Sequence, residues 1–416
     1  MRFFSAAAAL AIFIAAWAAL HQDRFKRGEI VDTPVYQNYG DAMWRGEVPY
    51  RDFAVEYPPG ALPFFVLPAY KEEGNVDSFR QAFEALIAAC MAVLLFATAL
   101  SLAALRASPL RTFGALALAA VAPLLLGSVI LSRFDLWPAT LVALATAALL
   151  SGRVRLGHAV LGAGFVAKIW PGVLIPLAVA YAWRKRGRTE GLVCLGIAAA
   201  VVVVVFLPFF VLSPHGVLHS LQTQTTRPLQ IETLGAALIV ASHHLFGTGV
   251  VMSSGHGSQN IGGTAANVVA GIQTAIQIGA LLAIWIVFAR RERSGEDLVR
   301  YSAAAVVAFI ALGKVLSPQF LIWLIPLVPL VRRWSAAVFF AVALVLTQAW
   351  FPQHYWDYAL RFVETRSWLV LWRDVTLVAL LGVLVAPPGY LLRLTRPLRP
   401  RLGSDHRHGR SEQNPA

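Results

Sequence analysis

Cysteine is nearly absent from this chain of 416 residues: only Cys90 and Cys194 occur, both inside apolar runs. That excludes a disulfide framework and a cysteine-based metal site. Charge is scarce too, at 14% of residues, against about 25% in an average soluble globular chain. There is no Gly-rich phosphate loop after a strand, and no polar stretch large enough to fold as a separate nucleotide-binding domain. Nor is there an internal repeat. The two halves do not echo each other, which counts against a transporter built from repeated halves.

What the chain has instead is apolar length. Hydrophobic residues make up 58% and come in blocks, many near the ~20 residues that cross a bilayer. The pattern predicts an all-α polytopic membrane protein of about twelve transmembrane helices. They fall near 3–21, 79–105, 112–131, 136–151, 157–168, 170–183, 191–212, 264–289, 299–313, 319–331, 335–351 and 368–386. Around Lys168 and Lys314, two half-length or tilted helices are expected to meet. The first run, from Phe3 to Leu20, exceeds the ~7–15 apolar residues of a signal peptide and reads as a retained helix. Residues 1–392 form the membrane domain in this reading. The Arg- and Pro-rich tail, 393–416, is expected to be disordered and cytoplasmic.

The charges orient this array. With the N-terminus in the cytoplasm, the cytoplasmic segments hold 21 of the 35 Lys and Arg but only 6 of the 22 acids. That is a positive-inside signature, with both termini cytoplasmic in a bacterial inner membrane. The net charge of +13 is therefore a topology signal, and nucleic acid is not an expected partner. Two external segments are long, 22–78 and 213–263. The second resists placement.

The first external segment carries most of the chemistry. Pro34 suits the first helical position with Thr33 as cap, and Gly46 can end the helix. Tyr36, Tyr39, Met43 and Trp44 then share one face. A short interfacial helix with its aromatic face toward the membrane is expected. Asp32 lies just before the helix start, where the dipole favours a carboxylate. By spacing alone Asp41, Asp52 and Glu56 read as a solvated face. Tyr57-Pro58-Pro59 breaks the helix and turns the chain back, and Phe64 to Tyr70 is too short to span.

Arg133, Lys168 and Lys314 fall at the external ends of spans. Such cations are costly within the bilayer. Here they could snorkel, or Arg133 could pair with Asp135. Alternatively they could hold an anionic phosphate that reaches the site through the membrane. Lys168 and Lys314 each abut a proline that opens the backbone. His243-His244 lacks a carboxylate at ligand spacing, so no metal or cofactor is expected. His354, in Gln-His-Tyr-Trp-Asp, could stack on a sugar or belong to an interfacial aromatic belt.

The segment from Asp32 to Pro59 resembles glycosyltransferase family 87, with an Asp, spaced tyrosines, Gly46-Glu47-Val48-Pro49-Tyr50-Arg51-Asp52-Phe53 and Glu56-Tyr57-Pro58-Pro59. The resemblance continues at Arg133-Phe134-Asp135-Leu136-Trp137-Pro138, Lys168-Ile169-Trp170-Pro171 and Lys314-Val315-Leu316-Ser317-Pro318-Gln319. It implies a C-type membrane glycosyltransferase, inverting and metal-independent. The donor it implies is a polyprenyl-phosphate sugar, with mannose the expected sugar. The acceptor would be a glycolipid or glycan, and membrane lipids would surround the protein. By position it implies Asp32 as the catalytic carboxylate. Arg133, Lys168 and Lys314 become candidates for the donor phosphate. Tyr36, Tyr50, Asp52, Glu56, Tyr57, Asp135, Gln319 and His354 become candidates for substrate contact. A transporter or lipid flippase is the alternative, but it would not need an acid-rich first loop ending in Tyr-Pro-Pro.

Overall fold

A computed structural model describes residues 2–26, 28, 30–70, 74–290 and 294–387. The basic tail 393–416 lies outside the described residues. The N-terminal part holds α1 (Arg2–Leu20), α2 (Asp23–Lys26), α3 (Thr33–Trp44), α4 (Pro63–Val66), α5 (Val76–Ala104) and α6 (Pro109–Leu126). The middle holds α7 (Leu136–Leu150), α8 (Val154–Ala167), α9 (Ile175–Arg186), α10 (Arg188–Leu212), α11 (Pro214–Thr225) and α12 (Leu234–Phe246). The last helices are α13 (Thr264–Ala289), α14 (Gly295–Ala311), α15 (Trp334–Gln348), α16 (Tyr355–Ala359) and α17 (Glu364–Val385).

Local signals start several of these helices. Asn75 accepts a hydrogen bond from the Ser78 N–H at the head of α5, and Ser294 and Asp297 form a capping box on α14. Helices α5, α6, α10, α13 and α17 are long and apolar enough to cross a bilayer unaided. The rest of the chain covers almost none of α10. Leu192, Val203, Val204, Leu207 and Val211 stand exposed along it. An apolar surface of that extent requires lipid or a partner, so the chain is a membrane protein.

Every expected span but one coincides with an α-helix. The exception is 319–331, where the backbone forms 3-10 turns at Pro318–Leu324 and Val328–Leu330. Pro318, Pro326 and Pro329 remove the N–H donors that an α-helix there would need. The expected breaks also occur. α8 stops at Ala167, Lys168 is extended, and a 3-10 turn at Trp170–Leu174 precedes α9.

Segment 213–263, unplaced by sequence, folds into α11, α12 and a small antiparallel sheet. Its strands are β1 (Leu229–Gln230), β2 (Val251–Gly255) and β3 (Ser258–Gly262), in the order β1-β3-β2. Leu229 faces Ile261 across the β1–β3 pair.

The bundle has two chemically different ends. At one, arginines tie neighbouring loops together. Arg155 pairs with Glu190 at 2.8 Å and Arg111 with Glu296. Arg184 donates to the Ala289 carbonyl at 2.7 Å and Arg300 to that of Leu384 at 2.9 Å. All four arginines belong to the segments expected on the cytoplasmic side. The opposite end gathers α3, the Lys168 break and the small sheet.

Two expectations for the first loop need correction. α3 forms, but its buried face is Thr33, Tyr36, Gln37, Gly40 and Asp41. It packs on α4 and α5 rather than laying an aromatic face on the membrane, and Trp44 stays exposed. Asp41 is buried and accepts the Gly74 N–H at 3.3 Å, so it is not part of a solvated face.

Candidate functional site

The site is built where the first loop meets the ends of α7 and α8. Gly60 makes the approach possible. A Cβ there would lie 2.6 Å from the Val166 carbonyl oxygen, so only glycine lets the loop sit on the last turn of α8. Trp137 donates to the Gly60 carbonyl at 3.0 Å and fixes that seat. Gly216 plays the same role on the other flank. A Cβ there would lie 1.9 Å from the Tyr50 carbonyl oxygen.

Asp32, not Thr33, occupies the N-cap position of α3, yet its side chain makes no capping bond. The carboxylate turns instead to Arg133, with which it forms an ion pair, and to the Tyr36 hydroxyl at 3.3 Å. Its side chain is 30% exposed, whereas that of Arg133 is 6% exposed. Arg133 also donates to the Ile30 carbonyl at 3.2 Å. Tyr36 is wholly enclosed. Its ring stacks on Phe65 at 4.7 Å and meets Phe134 edge-on at 5.6 Å. An aromatic box thus aims the hydroxyl that holds Asp32.

Lys168 lies beside this pair. Its ammonium donates to Asp135 Oδ1 at 2.6 Å and stands 4.6 Å from the Phe134 ring centre. The rings of Trp323 and Tyr57 lie 5.6 and 5.9 Å away. Asp135 is enclosed, 1% exposed at its side chain, and also accepts the Trp323 indole N–H at 2.6 Å. Asp135 therefore acts on Lys168 and presents nothing to an open cleft. Lys314 is half-buried, and its carbonyl accepts the Gln230 N–H at 3.0 Å. Gln319, half-buried, is the second residue of the 3-10 turn that carries Trp323.

The remaining expected residues divide. Tyr57 and Glu56 are half-buried at the rim, and the Glu56 carbonyl accepts Gln224 Nε2 at 3.0 Å. Burial pushes the Tyr57 phenol well above its usual value. The Tyr50 hydroxyl is committed to the Tyr57 carbonyl at 2.5 Å, so it braces the loop. Asp52 is exposed. The Arg51 side chain, then the Val48 N–H, hold its carboxyl down to about 2, which makes it a poor proton acceptor near neutrality. His354 bonds Asp357 at 3.1 Å beside the exposed Trp356. His243 and His244 each engage a neighbour, the Thr248 carbonyl and the Ser367 hydroxyl.

The structure adds a cluster not anticipated from sequence. Arg373 and Asp374, on α17, pair at 2.7 Å with side chains 0% and 1% exposed. Arg373 donates to the Glu232 carbonyl at 2.7 Å, and the Tyr358 hydroxyl to that of Ile231 at 2.7 Å. Burial pushes the Glu232 carboxyl up to about 8. The signal was visible: an adjacent Arg and Asp inside the apolar run 368–386 have no bland place in a bilayer. A cavity of about 450 Å³ also opens between Arg24, Ser128, Gln348 and Gln353. None of the expected site residues lines it.

No curated protein matches the chain. Residues 55–318, more than half of it, match the sequence pattern of glycosyltransferase family 87. The match takes in Glu56-Tyr57-Pro58-Pro59, the Arg133–Asp135 and Lys168 motifs, and Lys314. Asp32 precedes it and stands on its geometry. With the apolar helices and the ionic site at one end of the bundle, the match makes the protein a membrane glycosyltransferase: the chain belongs to glycosyltransferase family 87.

Proposed function

We propose that the protein transfers a sugar, mannose by the family resemblance, from a polyprenyl-phosphate donor to a glycolipid or glycan acceptor. The reaction takes place at the extracytoplasmic face of a bacterial inner membrane. One observation carries this reading: a partly exposed carboxylate, Asp32, stands beside Arg133 and Lys168 at the end of the bundle opposite the arginine-rich loops. A donor reached at that face must arrive through the membrane, as a lipid-linked sugar does.

The acceptor hydroxyl oxygen attacks the anomeric carbon as the bond from that carbon to the phosphate oxygen breaks. Asp32 takes the hydroxyl proton. The polyprenyl phosphate leaves as an anion and needs no protonation, so one carboxylate suffices and the configuration inverts. Arg133 and Tyr36 orient the base, and the cations at the helix breaks stabilise the departing phosphate.

Two measurements test this. Glu47→Cys, in the first loop, should react with an impermeant maleimide in intact cells, and Lys185→Cys should not. The native Cys90 and Cys194 are buried and stay silent. The opposite pattern would reverse the orientation. In reconstituted vesicles, transfer should depend on polyprenyl-phosphate mannose, and Lys314→Gln should raise the donor concentration required while insertion stays normal. Equal transfer from a nucleotide sugar would sink the donor assignment.

A further inference from the structure

Arg133 and Lys168, the two cations deepest in the site, are already matched by Asp32 and Asp135. A donor phosphate brings a negative charge beyond those two carboxylates, and a further cation close to the helix breaks would balance it. Arg227 is such a cation. Among the described residues it forms no ion pair, and its Nε is shielded from water without a hydrogen-bond partner. A guanidinium N–H left in that state is unfavourable unless a ligand completes it.

The chain around Arg227 is pinned on both sides. Three residues before it, Gln224 donates to the Glu56 carbonyl at 3.0 Å. Three residues after it, the Gln230 N–H meets the Lys314 carbonyl at 3.0 Å, and Gln230 Nε2 meets the Ser317 hydroxyl at 2.9 Å. Three extended residues span at most about 10 Å, so Arg227 lies between the Glu56 rim and the Lys314 break. It is also within electrostatic reach of the Lys168 ammonium. β1 and the ties of Glu232 and Ile231 to α17 and Tyr358 hold the following turn rigid.

We propose that Arg227 is a donor-site residue that binds the phosphate of the lipid-linked sugar, and that segment 224–233 exists to hold it there. The inference rests on the polyprenyl-phosphate reading above. A guanidinium suits this role because its fork can meet two phosphate oxygens at once.

The test is binding of a short-chain polyprenyl monophosphate to the purified full-length protein, with the matching uncharged polyprenol as control. Arg227→Gln should weaken the phosphate by about tenfold or more and leave the alcohol unchanged, and Arg227→Lys should recover part of the loss. Unchanged phosphate affinity in Arg227→Gln overturns the proposal and leaves the donor reading intact. Equal weakening of phosphate and alcohol also overturns it, since the residue would then be structural. If Arg227→Gln does not fold, Arg227→Met is measured in its place, and phosphate affinity unchanged there overturns the proposal. No measurable binding of the monophosphate by the wild type removes the donor reading itself.

Discussion

Asp32→Asn is expected to lower sugar transfer by about 10²–10⁴-fold, the usual contribution of a general base, with little change in the amount of folded protein. The substitution keeps the side-chain size but replaces the carboxylate, both proton acceptor and countercharge of Arg133, with a neutral amide, and the partial exposure of Asp32 limits what the lost charge costs the fold. Because Asp32 makes no capping bond in α3, no cap is lost. The carboxylate's contacts are Arg133 and Tyr36, and an amide oxygen can still accept from both. Asp52→Asn is the control. Its carboxyl is exposed and held at about 2 by Arg51, so transfer near neutral pH should stay within a few-fold of wild type. Thermal melting in detergent separates chemistry from folding. Near-normal turnover in Asp32→Asn would move the base elsewhere on the loop, and an activity loss matched by loss of folded protein would make Asp32 structural.

Asp135→Ala should cost far more in stability, about 3–5 kcal/mol, because it strands the Lys168 ammonium among Phe134, Trp323 and Tyr57. Lys168→Met alone strands the Asp135 carboxylate and should cost a similar amount. Removing both charges together leaves an apolar contact, so the double variant should be more stable than either single one. The coupling energy from a double-mutant cycle in detergent reads this directly. The double variant should still transfer poorly, since a cation of the proposed donor site is gone. Additive destabilisation would show that the pair is not the unit described here.

Much of the fold was legible because the bilayer imposes a coarse rule: apolar length marks a span. The span 264–289 coincides with α13 to the residue. The breaks at Lys168 and Lys314 were legible for a related reason, since the prolines just after them cannot continue a helix. The same proline signal was underweighted at 319–331, where apolar composition suggested a span and three prolines made 3-10 turns. Composition also misjudged Asp41, because nothing local to it shows that Gly74 folds over it.

The candidate site was legible in part. Asp32, Arg133 and Lys168 stand out because charge next to apolar runs is rare, and the family motifs single them out. Their partners were not legible. Asp135 looked like a substrate contact or a mate for Arg133, and in the fold it serves Lys168. Which carboxylate meets which cation depends on how α3, α7 and α8 converge, and no local pattern encodes that.

Sequence by itself determined the membrane class, the positions of most of the long helices, the family and the charge asymmetry of the two ends. Each follows from composition, or from motifs contiguous in the chain. Only the tertiary structure decided that segment 213–263 returns through Arg227 to the Lys314 break, and that Glu232 meets Arg373 across 141 residues. Those contacts join residues far apart in the chain through hydrogen bonds to backbone carbonyls. Every residue carries such a carbonyl, so no residue identity marks the one that will be met.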